Sequence, residues 1–244
     1  MMTAIVTQNL TKRFGEKTAV HKLNLSIKEG ELFALLGVNG AGKTTTIKML
    51  SCLCSPSDGD AILLGKSIVT DPHSVKEIIN ISPQETAVAP NLTVKENLEM
   101  IAQIYGASRA SAKEKAGEMI AAFRLEEASK QRAKTLSGGI QRRLSIAMAL
   151  ISEPKILFLD EPTLGLDVLA RRDLWATVQQ LKGKITIILT THYMEEAQAL
   201  SDRIGIMANG KLRAVGTADE LIEKSGAPNL EEAFISLATE TEVQ

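Results

Sequence analysis

The stretch Gly37-Val-Asn-Gly-Ala-Gly-Lys-Thr-Thr45 decides the reading of this chain, because it fits G-x-x-x-x-G-K-[ST] between a strand pattern and a helix pattern. Upstream, Glu31-Leu-Phe-Ala-Leu-Leu36 is a nearly continuous apolar run and predicts a buried parallel strand; downstream, Lys43 to Leu50 predicts a helix. Gly37, Gly40 and Gly42 let the backbone bend with positive φ and aim successive N–H groups inward, at the positive end of the new helix. Such a loop is built for phosphate. Lys43 is expected to reach the β- and γ-phosphates of a nucleotide, and the Thr44 hydroxyl to ligate the Mg²⁺ that bridges them. Asn39, Ala41 and Thr45 belong to the same cradle.

Composition narrows the class. A chain of 244 residues, 44% apolar and 23% charged, has the make-up of an ordinary globular protein, and its length allows one large domain or two modest ones. Its 28 basic and 29 acidic residues leave a net charge of −1, and aromatics are only 3%, so neither charge nor base-stacking surface points to nucleic acid. No apolar run approaches the roughly 18 residues that span a bilayer. The N-terminus lacks the charged-then-apolar order of a signal peptide, so the expected location is the cytoplasm. Cys52 and Cys54 have no further Cys or nearby His to complete a metal site and are read as reduced packing thiols.

In chain order, two strands are expected around Ala4 to Leu10 and Ala19 to Ile27, joined by the turn Phe14-Gly-Glu-Lys17, in a half-exposed sheet. Phe14, beside that turn, fits a flat surface for a base and a packing role equally well. Asp60 to Leu64 and Ile78 to Ile81 read as strands, the second ending at Ser82-Pro-Gln84. From Val94 to Ser152 the pattern is helical, with breaks at Gly106 and over Glu126 to Lys134, and the third helix opens on Leu136-Ser-Gly-Gly139. Ser137 is a good N-cap there. Each following glycine costs a helix interior about 1 kcal/mol, which points to a second anion site, although Ser-Gly-Gly is also common loop chemistry.

The α/β alternation then resumes. Strands are expected at Lys155 to Leu159 and Ile185 to Leu189, with helices at Val168 to Leu181 and Met194 to Leu200. Trp175 reads as a packing residue. Asn209-Gly210 marks a hairpin, and Ala218 to Lys224 and Leu230 to Leu237 two short helices before an acidic tail. Four apolar strands thus end in Gly37, Gln84, Asp160-Glu161 and His192, and ligands of open parallel sheets bind beyond the carboxyl ends of strands. Asp160 suits Mg²⁺ held through water, Glu161 polarisation of an attacking water, His192 a hydrogen bond to the γ-phosphate, and Gln84 contact with metal and water. His21 and His73 are expected to be solvated.

With Phe14, the glycine-rich loop, Gln84, LSGGI, ILFLDEP, Leu166-Asp167 and His192 in this order, nearly the whole chain resembles the nucleotide-binding subunit of ATP-binding cassette (ABC) transporters. The resemblance implies an α/β fold: a P-loop NTPase core with a parallel sheet, an N-terminal antiparallel β subdomain and an inserted α-helical subdomain. It implies one domain over 1–244, with the core at 1–88 and 153–216, the helical part at 89–152 and a short helical tail at 217–244. It also implies an ATPase that takes ATP and Mg²⁺. In such an enzyme a homodimer, or a pseudo-dimer with a related subunit, places ATP between one P-loop and the other subunit's Ser137, Gly138 and Gly139.

Phe14 takes the adenine-stacking position, Asp167 falls in the loop that crosses the interface, and the region from Gln84 to Val94 meets an integral membrane permease at the cytoplasmic face. Two departures stand out. Ile140 replaces the usual fifth-position glutamine, and Val38 the proline common after the first loop glycine. The segments Asn91 to Leu98, Gln141 to Leu144 and Asn229 to Phe234 look like the branch that includes drug, sodium and polysaccharide or haem-related exporters. A soluble cassette ATPase of the cluster-assembly type is the competing reading, whereas a GTPase is disfavoured because this sequence has no N-K-x-D to read guanine.

Overall fold

The computed structural model describes residues 2–239. Its first half comprises β1 (Thr3–Phe14), β2 (Lys17–Leu23), β3 (Ser26–Lys28), β4 (Leu32–Leu36), α1 (Lys43–Leu50), β5 (Asp58–Leu63), β6 (Lys66–Ser67), α2 (Pro72–Ile78) and β7 (Ile79–Ser82). There follow α3 (Val94–Ile104), α4 (Arg109–Ala122), α5 (Gly138–Leu150), β8 (Ile156–Asp160), α6 (Val168–Gln179), β9 (Thr186–Thr191) and α7 (Met194–Leu200). The chain closes with β10 (Arg203–Ala208), β11 (Lys211–Gly216), α8 (Ala218–Ser225) and α9 (Leu230–Thr239). The acidic tail beyond Thr239 lies outside the described residues.

Two sheets form. The larger has the order β11-β10-β4-β9-β8-β7, parallel throughout except for the antiparallel edge pair β10–β11. The smaller is antiparallel, in the order β2-β1-β5-β6 with β3 also on β1. This is the expected α/β class with its antiparallel N-terminal sheet. Alternation within β4 explains why its run is apolar throughout. Leu32, Ala34 and Leu36 pack on the helical side with Leu157, Leu189 and Ile206, while Phe33 and Leu35 face the antiparallel sheet with Ile5, Ile27 and Leu63. Both faces are covered, so every position must be apolar.

Three expectations change in the structure. The strand read over Ala19 to Ile27 is two, because Asn24 and Asn9 bond each other where the ladder breaks: the Asn9 N–H donates to Asn24 Oδ1 at 2.8 Å, and Asn24 Nδ2 to Asn9 Oδ1 at 3.2 Å. Positive φ at Asn9 and Lys22 bends both strands there, and β2 and β3 pair with opposite ends of β1. Ile78 ends a helix instead of starting a strand. That helix, α2, was not anticipated; it opens on Asp71, which caps the Ser74 N–H at 3.3 Å, followed by Pro72.

Local chemistry sets the helical region. Thr93 and Glu96 form a reciprocal capping box at the start of α3. Behind it the buried Asn97 amide donates to the carbonyls of Ala89, Leu92 and Thr93 and accepts from the Ala89 N–H, fixing the segment that leads away from Gln84. On the other flank α6 meets α7 through Trp175, whose indole N–H donates to Glu196 Oε1 at 3.1 Å. Trp175 therefore does more than pack. Glu196 is fully buried, and desolvation raises its carboxyl above the usual range, against the opposing pull of the Trp175 hydrogen bond and with the nearby charge of Glu161 adding to the rise.

A folded-state pKa above the unfolded value makes stability fully present below the unfolded value of 4.5 and loses it as pH rises toward the folded one. Glu196→Gln removes that loss. Urea unfolding from pH 4 upward is expected to show the variant gaining on the native protein as pH rises through this window. Parallel pH profiles would show that Glu196 does not titrate differently on folding.

Candidate nucleotide site

β4, β9, β8 and β7 are consecutive neighbours with parallel register, so the residues that follow them emerge along one edge. The glycine-rich loop leaves β4 there. Gly42 stands at φ 105°, with the Ala19 carbonyl 2.6 Å from where a Cβ would lie, so no other residue fits the turn into α1. Gly37 departs from expectation, since its φ is not positive; a Cβ there would come within 2.5 Å of the Met207 carbonyl oxygen, and crowding by β10 demands the glycine.

The side chains converge on two carboxylates. Lys43 Nζ donates to the Gly37 carbonyl at 2.7 Å and lies 3.0 Å from Glu161 Oε1, with only 5% and 6% of the two side chains exposed. Glu161 Oε2 meets His192 Nδ1 at 2.7 Å. Asp160, one residue earlier, faces elsewhere: its Oδ1 accepts from the Thr44 hydroxyl at 3.1 Å and from the Thr190 hydroxyl at 2.6 Å. Consecutive residues on a strand point apart, and Glu161 also takes φ 47°, the left-handed region that costs a non-glycine residue of order 1–3 kcal/mol. The strain turns the chain off the end of β8.

Lys43, Thr44, Glu161 and His192 line a cleft of about 410 Å³, while Asp160 is buried behind Thr44 and is not part of its lining. Asn39 through Thr45 line it together with Gln84, and Phe14, Lys17 and Ala19 line it as well. Phe14 is 55% exposed, which rules out a core-packing role, and the Lys12 ammonium sits 5.1 Å from its ring centroid. A hydroxyl and a carboxylate 3.1 Å apart at the start of α1, with a neutral amide nearby, form an all-oxygen set suited to Mg²⁺, which takes few protein ligands and completes its shell with phosphate and water. His21 is half-buried and His73 exposed, both away from the cleft.

Ser137, Gly138, Gly139 and Asp167 do not line this cleft. Ser137 is the N-cap of α5, yet its exposed hydroxyl makes no cap hydrogen bond. Gly139 lies so close to α6 that a Cβ would sit 3.0 Å from that of Ala170. Asp167 caps α6, accepting from the Leu169 and Ala170 N–H groups at 2.9 Å each.

Sequence reasoning takes Arg142 only as part of the Gln141 to Leu144 segment and gives it no role at the site. Buried in α5, its guanidinium donates to the carbonyls of Pro83, Gln84 and Asp160, tying the third helix to two strand ends. Desolvation lowers its pKa to about 10, against the attraction of Asp160 and Glu196. The signal available was a charge on the helix of the Ile140-Leu144 stripe.

The family model described as "ABC transporter" matches residues 20–164. The chain is 40% identical to the linearmycin resistance ATP-binding protein LnrL of Bacillus subtilis, over 94% of this chain and 74% of that protein. It is 42% identical to the human phospholipid-transporting ATPase ABCA3, over 93% of this chain but only 14% of that much longer protein. Among solved structures, a dimeric post-hydrolysis state of the ATP-binding cassette MJ0796 bound to ADP and Pi superposes with a TM-score of 0.78 at 28% identity, covering 87% of this chain and 98% of that one. With the phosphate loop, the strand-end carboxylates and these matches in agreement, the chain belongs to the ABC transporter family and carries its ATPase domain.

Proposed function

We propose that the chain is the ATP-hydrolysing subunit of an exporter and that it works as a dimer, driving a separate integral membrane permease from the cytoplasmic face. The observation that supports this most is the placing of Thr44 and Asp160 3.1 Å apart beside the Lys43 loop, with Glu161 and His192 adjoining. The backbone N–H groups of Gly37 through Thr45 and the Lys43 ammonium hold the ATP phosphates, and Phe14 stacks on adenine. Thr44, Asp160 and Gln84 hold Mg²⁺. The bound cation neutralises phosphate charge.

Glu161 accepts the proton of the water whose oxygen attacks the γ-phosphorus, as the bond to the ADP oxygen breaks and ADP departs with the electron pair. His192 steadies Glu161 through Nδ1 and hydrogen-bonds the γ-phosphate. Phosphate oxygens compete with Glu161 for Lys43, so nucleotide binding frees the carboxylate for this role. Ser137, Gly138 and Gly139 lie outside the cleft lining, and the Ser137 hydroxyl makes no cap hydrogen bond; both fit a contribution from the second subunit, with Asp167 in the crossing loop.

The parts divide as a core of 1–88 and 153–216, a helical subdomain of 89–152 that carries the signature, and a tail of 217–244, within one domain. The segment from Gln84 to Val94 reaches the permease. Among the described residues no helix is long and apolar enough to cross a membrane. Export is favoured by the kinship with the drug-resistance protein LnrL.

Two measurements test the reading. Glu161→Gln is expected to retain ATP binding while hydrolysis falls by about two to four orders of magnitude, and to sediment as a dimer in saturating MgATP. Near-native turnover would remove Glu161 from the role of base, and a persistent monomer, even with the permease, would contradict the shared site. Phe14→Ala is expected to weaken ATP severalfold, for a loss of about 1 kcal/mol, as judged by equilibrium titration. Unchanged affinity would show that the ring does not stack.

A further inference from the structure

We infer that Thr190, through its hydroxyl, is a positioning residue that sets the direction of the Asp160 carboxylate and anchors the turn carrying Glu161, and thereby fixes how tightly the site holds its divalent cation. The inference rests on the MgATP reading above. Thr190 is fully buried near the carboxyl end of β9, between Asp160 of the neighbouring strand and the backbone of Glu161. A buried hydroxyl needs partners, and this one has two. It donates to Asp160 Oδ1 at 2.6 Å and accepts the Glu161 N–H at 3.0 Å. The direction is fixed because an ionised carboxylate only accepts, and the short distance belongs to a charge-assisted bond.

The two bonds have different consequences. On Asp160, Thr190 and Thr44 both donate to Oδ1, which pins the carboxylate plane, while Oδ2 receives no hydrogen bond among the described residues and stays available to a cation or its water. On Glu161, the N–H is shared between Thr190 Oγ1 and the Thr190 carbonyl at 3.2 Å, so one residue holds both acceptors for the strained turn at φ 47°. Packing alone does not explain a threonine here. Valine has the same shape, and in a fully buried strand it avoids the cost of burying a hydroxyl.

The test uses Glu161→Gln protein, which on the reading above is expected to hold nucleotide with little turnover, and Mn²⁺ as the probe. Electron paramagnetic resonance at saturating ATP gives the Mn²⁺ dissociation constant, and thermal shift with ATP alone reports nucleotide binding without metal. Thr190→Val is expected to raise the Mn²⁺ constant about tenfold, the scale of losing a group that orients a metal ligand, while the shift with ATP alone stays the same. Thr190→Ser, which restores the hydroxyl, is expected to return the Mn²⁺ constant to within about twofold of the parent. If the valine variant fails to fold, Thr190→Ala provides the same comparison.

A valine or alanine variant that melts lower yet binds Mn²⁺ like the parent would overturn the inference and leave Thr190 a structural residue. A serine variant as weak as valine would overturn it too. Failure of the parent itself to take up Mn²⁺ with ATP would refute the site reading, and the inference with it, and is distinguishable because it occurs with Thr190 in place.

Discussion

A strand covered on both faces and paired on both sides can present polar chemistry only at its ends. β4 lies between β10 and β9 in parallel register, with Leu32 through Leu36 wholly buried. Because β9, β8 and β7 run the same way, their ends fall in line with that of β4, and the loops that follow share one edge. The site is therefore a product of strand direction before it is a product of side chains. Reversing any of these strands would carry its terminal polar residue to the opposite side of the core.

Buried charge connects that edge to the helices. Lys43 and Glu161 form a nearly dry ion pair, an arrangement in which losing either partner leaves the other uncompensated. Arg142 is a second desolvated cation, and it bonds backbone carbonyls at two strand ends instead of a carboxylate. Its hydrogen bonds are to main chain, so they hold the paths of the segments at Gln84 and Asp160 whatever side chains those segments bear. The N-terminus of α5, with Ser137 and its two glycines, is thus rigidly referenced to the cleft although it lies outside it.

Features that depend on neighbouring residues were legible in the sequence: the glycine-rich loop, the apolar strands read over Lys155 to Leu159 and Ile185 to Leu189, the helical stretch after Val94 and the Asn209-Gly210 hairpin. Features that depend on distant partners were not. Alternation from Val20 to Ile27 looked continuous because Val20, Leu23, Leu25 and Ile27 are all buried, but the positive φ at Lys22 shifts the phase, and the Asn9–Asn24 pair that breaks the ladder is a contact across strands. Helix α2 is seven residues long, too short to show a period, although Asp71-Pro72 announced it. Thr190 reads as β-branched strand filler until the turn at Glu161 brings a backbone N–H onto its hydroxyl.

The Asn209-Gly210 turn joins three parts of the molecule at once. The Gly210 N–H donates to the Ala41 carbonyl in the phosphate loop at 3.0 Å, its carbonyl accepts the His21 N–H of β2 at 2.8 Å, and a Cβ on it would strike the Ala19 carbonyl at 2.8 Å. A hairpin tip is ordinarily where a fold accepts insertions, tags and sequence drift. This one is spliced into the nucleotide cradle, and lengthening it would loosen the loop from the antiparallel sheet. Open space lies instead beside the bend around Gly106, where a Cβ would meet nothing within 4 Å, although Gly106 itself, at φ 89°, is held to glycine by its backbone.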